Sequence, residues 1–79
     1  MLAITVEASF LSPAIVQITL LTMNGDVRAT FDVPSCTNLA QVQREARAIL
    51  YHRGQVALIL PDGRFIKDLD GEIPVSDVV

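Results

Sequence analysis

The sequence predicts an α+β domain in which two hairpins form a mixed sheet packed on one helix, with a further strand added at the N-terminus. Three observations carry this prediction. Only residues 37–52 have helical periodicity, with Leu39, Val42, Ala46 and Ile49 on one face and Gln41, Gln43, Arg44 and Arg47 on the other. Elsewhere the apolar residues alternate with a period of two, as in half-buried strands. Asn24-Gly25 and Pro61-Asp62-Gly63 each separate two such stretches, and both are hairpin turn signals. The 79 residues are enough for one domain spanning 1–79, built from an N-terminal strand and loop over 1–13 and a core over 14–79.

Each element follows from local chemistry. In residues 2–7, Leu2, Ile4 and Val6 fall on one side and Ala3, Thr5 and Glu7 on the other. Residues 9–13 read as a short loop, because Pro13 pushes its predecessor out of helical geometry. Val16, Ile18 and Leu20 alternate against Gln17, Thr19 and Leu21 before the Asn24-Gly25 turn. Val27, Ala29, Phe31 and Val33 then alternate against Arg28, Thr30 and Asp32 until Pro34. The helix is expected to take Thr37 or Asn38 as its N-cap, with Gln41 reaching back, and to stop at Gly54. A second hairpin is expected over 56–60 and 64–69, with Val56, Leu58 and Leu60 inward. A single helical turn is expected over 74–79. The two halves thus repeat one strand, turn, strand and helix pattern, and two copies are too few for a repeat array, so they read as one closed domain.

Composition limits the function. The apolar fraction is 51% but Trp is absent and aromatics are 5%, so the core must be aliphatic. No apolar run approaches the roughly 18 residues of a membrane span. No signal peptide is evident at the start, where Glu7 interrupts the apolar residues and no Lys or Arg precedes Arg28. These features, with an initial Met1, predict a free-standing, unprocessed cytoplasmic protein. A net charge of −3 with scattered arginines argues against nucleic acid as partner. Cys36 is alone, which rules out an internal disulfide or a multi-cysteine metal site. His52 reads as a helix C-terminal cation rather than a base. Asp62, Asp68, Asp70 and Glu72 lack the frame of a calcium loop and read as a solvated acidic edge. With no nucleophile motif and no phosphate-cradling glycine loop, neither catalysis nor a cofactor or metal is expected.

Several short strings resemble ubiquitin and its relatives over residues 17–79. Gln17-Ile18-Thr19-Leu20 through Asn24-Gly25 resembles the first strand and turn, and Val33-Pro34-Ser35 followed by Thr37 resembles the end of the second strand and the helix cap. Leu58-Ile59-Leu60 resembles the strand that carries ubiquitin's recognition surface, and Val75-Ser76-Asp77-Val78 the short turn after the second hairpin. The resemblance implies the ubiquitin-like β-grasp fold. The family's last strand and diglycine tail have no counterpart here, where the sequence ends Val78-Val79, so conjugation is not expected. The missing strand would leave backbone groups unpaired in the middle of the sheet, each costing about 1–3 kcal/mol if buried. Residues 2–8 are the candidate to fill its place, running antiparallel to the next strand because the short connection permits only that direction. A dimer in which a second copy donates this strand is the competing solution.

The outer sheet face is where a partner would dock. Thr19, Leu21, Ala57 and Ile59 are expected there with Met23 at the turn, and Ile66 nearby. In the family, the positions matching Met23 and Ile59 belong to the apolar patch that binds receptors, and the third member of that patch lies on the absent strand. Leu21, Met23, Ala57, Ile59 and Ile66 are therefore the candidate partner-binding residues, with Arg28, Arg64 and nearby acids at the rim. The alternatives are that these are scattered surface apolars or lie under the N-terminal segment. The first functional reading is a nonconjugated protein-interaction module, and the second is an assembly subunit that self-associates through its N-terminal strand or apolar face. Leu60-Pro61-Asp62-Gly63-Arg64 also resembles the hairpin of small β-grasp domains appended to some aminoacyl-tRNA synthetases and GTPases, but the acidic balance argues against an RNA-facing role.

Overall fold

A computed structural model describes residues 2–50 and 56–78. Strands β1 (Leu2–Ser12), β2 (Ile15–Leu21) and β3 (Val27–Pro34) precede helix α1 (Leu39–Leu50), and β4 (Val56–Ile59) follows it. Two single-turn 3-10 segments, Ile66–Asp68 and Val75–Asp77, complete the described chain. The strands form one sheet in the order β3-β2-β1-β4. It is mixed: β1 runs antiparallel to β2 and parallel to β4, and β2 runs antiparallel to β3. The architecture is α+β, a four-stranded sheet with one helix.

The N-terminal strand lies inside the sheet, in the place expected from the resemblance, and runs antiparallel to β2 as its short connection implies. Val6 stands opposite Leu20 and Ala8 opposite Ile18 on one side, and Ile4 opposite Leu58 on the other. Within this chain β1 fills the place between β2 and β4. The loop expected over 9–13 is not there: β1 continues to Ser12, and only Pro13 and Ala14 turn. Phe10 keeps the alternation of Val6 and Ala8, a register shift between Phe10 and Ser12 absorbs Leu11, and only Pro13, which has no N–H to give a ladder, ends the strand.

The core lies between the inner sheet face and α1. Ile4, Val6, Val16, Ile18, Leu20 and Val33 from the sheet meet Leu39, Val42 and Ala46 from the helix, with Leu58, Leu60, Ile66 and Val75 closing it. No polar or charged side chain is buried among the described residues, so aliphatic burial, about 1.5–3 kcal/mol per large side chain, holds the fold. Ile49, expected on the buried face, is 42% exposed, and Leu50 packs against the core instead. A step of four from Ala46 reaches Leu50 and turns Ile49 outward.

The helix begins at Leu39 with Asn38, one of the two expected residues, as its cap. Asn38 Oδ1 accepts the Gln41 N–H at 2.8 Å. The Gln41 side chain does not reach back; its Nε2 donates to Glu45 Oε1 at 3.0 Å. The remaining early donors are satisfied from the other end of the chain, Leu39 N–H by the Ile73 carbonyl at 2.9 Å and Ala40 N–H by the Gly71 carbonyl at 3.0 Å. A Cβ on Gly71 would stand 3.0 Å from Ala40 Cβ, so this close approach favours glycine. The expected stop at Gly54 and cap at His52 lie outside the described residues.

The second hairpin is only half formed. After β4, the Leu60 N–H bonds the Arg64 carbonyl at 2.8 Å and the Gly63 N–H bonds the Leu60 carbonyl at 2.9 Å, with Gly63 at φ 91°. Asp62 Oδ1 accepts the Arg64 N–H at 3.0 Å and Oδ2 accepts from Arg64 Nε at 2.6 Å. The backbone hydrogen bond from Arg64, aided by its guanidinium, holds the exposed Asp62 carboxyl below the ordinary aspartate value of 3.8. The expected return strand over 64–69 reduces to one bridge between Ile59 and Phe65 before the chain coils into a 3-10 turn. Ile66 and Leu69, three residues apart, both pack inward, which a single turn permits and an alternating strand forbids. The second half therefore does not repeat the first. The turn expected near the end is present, with Pro74 just before Val75–Asp77 and its carbonyl accepting the Asp77 N–H at 3.0 Å.

Candidate functional site

The outer sheet face, away from α1, is set by the strand period. Because Ile4, Ile18, Leu20 and Leu58 point to the core, Thr5, Thr19, Leu21 and Ile59 point away from it. Cross-strand register then decides which of these meet. Leu21 stands opposite Thr5, and Thr5 opposite Ile59. On its other side Leu21 stands opposite Val27, because the β2–β3 register shifts between Leu20, paired with Ala29, and Leu21, leaving Arg28 as the extra residue. A row Val27–Leu21–Thr5–Ile59 thus crosses all four strands, with side chains close enough for one ligand surface to touch them together.

Val27 was not legible as part of this face. Alternation with Ala29 places it inward, and the bulge reverses it, leaving it 61% exposed. Met23 lies just beyond the row, in the turn closed by the Gly25 N–H on the Thr22 carbonyl at 2.9 Å and the Thr22 N–H on the Asp26 carbonyl at 2.8 Å. Gly25 takes φ 88°, which an L side chain resists, and this turn holds Met23 out at 72% exposure. Leu21 and Ile59 are half-buried.

Two of the five candidate residues do not join them. Ile66 is 2% exposed and belongs to the core, because the 3-10 turn directs it inward where a strand would have directed it out. Ala57 shares the outer face, opposite Ala3, but is 6% exposed and too short to offer a contact. Beyond the apolar row the face turns polar, with Glu7, Thr19 and Thr30 in one row and Ser9, Gln17 and Asp32 in the next. The result is a narrow apolar band flanked by polar rows.

Among the described residues no three His, Cys, Asp or Glu side chains gather as a metal site. No helix among them is long and apolar enough to cross a membrane. Cys36 is exposed in the loop before α1. What the geometry offers is a rigid apolar band, held by a hydrogen-bonded sheet, that can be desolvated by a complementary surface. Neither a family model, nor a curated protein, nor a solved structure matches this chain.

Proposed function

We propose that this chain is a ubiquitin-like β-grasp interaction module that docks a protein partner through its outer sheet face. The observation that carries the reading is the cross-strand row Val27–Leu21–Thr5–Ile59 with Met23 at its end. The β-grasp assignment draws support from the mixed sheet with a single helix and from β1 in the place that the family's last strand would hold, running the opposite way. Docking is an equilibrium process here: Ile59 and Leu21 act as the half-buried anchors, Met23 and Val27 extend the contact, and Glu7 and Arg28 form part of the rim.

Replacing Ile59 by Arg tests this. A cation at the β4 end of the band leaves the core untouched and makes partner binding desolvate a charge, so affinity falls by about tenfold or more, equivalent to about 1.4 kcal/mol. The far-ultraviolet circular dichroism and urea midpoint should stay close to those of the native chain. A variant that is folded and retains native binding would remove the band from consideration.

A further inference from the structure

We draw no further inference here: the strongest candidate, the exposed apolar patch of Phe10 and Leu11 at the end of β1 beside the Pro13–Ala14 turn, carries nothing because nothing in the structure shows what covers it.

Discussion

Ile59 and Ile66 carry the same side chain in opposite settings, and the difference lies in the backbone on either side of one turn. Ile59 ends β4 with its side chain on the outer face, opposite Thr5. Ile66 sits in the 3-10 turn after the hairpin and is 2% exposed against the core. Truncating the two should therefore have different consequences. Ile66→Ala removes buried methylenes and leaves a cavity, so a loss of about 2–5 kcal/mol is expected in urea denaturation, whereas Ile59→Ala should cost far less. Equal losses would mean that the two residues are not divided between core and surface in this way. The sequence distinguishes them poorly. Between residues 64 and 69, Phe65, Ile66 and Leu69 fit neither alternation nor a long helical face, and a stretch this short lets either period be read into it. Val27 is misplaced for a related reason: a bulge of one residue reverses every side chain beyond it, and Arg28 gives no local sign of being the extra residue.

Among the elements, α1 was the most legible, since its apolar spacing, its Asn38 cap and its position between strands all agree. What could not be read is how its N-terminus is completed. The Ile73 and Gly71 carbonyls that accept from Leu39 and Ala40 are distant in sequence, and nothing in residues 37–40 announces them. Together with Asn38 Oδ1 they satisfy the first helical donors, and they tie the last part of the described chain to the start of the helix. Asn38→Ala removes only the side-chain acceptor, so the expected cost is about 1 kcal/mol, read as a lowered urea midpoint with an unchanged slope. No change would mean that the long-range carbonyls alone hold the helix end. β1 shows the opposite bias. Its first half reads plainly, but Ser9, Ser12 and Pro13 suggest a loop, while the cross-strand pairs Ser9–Gln17 and Phe10–Val16 extend the strand across it. Pairing with β2 outweighs the weak local preference of the serines.

At the scale of the molecule, the central position of β1 organises everything else. It is the only strand between β2 and β4, so it connects the first hairpin to the part of the chain that follows the helix. Ile4 and Val6 bring it into the core at 0% and 2% exposure. Removing residues 1–12 should therefore abolish cooperative unfolding rather than merely trim an end, and the deleted chain should lose its dispersed amide spectrum. A deletion that still folds cooperatively would show the sheet to be stable without its middle strand. Its direction beside β2 was legible from connection length, since a short link between Ser12 and Ile15 permits only an antiparallel neighbour, whereas its place next to β4 was expected only from the resemblance. The same sheet presents the band through which docking is proposed. The most direct test is comparative affinity capture with the native chain, Ile59→Arg, and Asp32→Arg as a charge control two polar rows away on the same face. Binding lost with Ile59→Arg and kept with Asp32→Arg is the predicted result, and equal capture by all three folded proteins would contradict it.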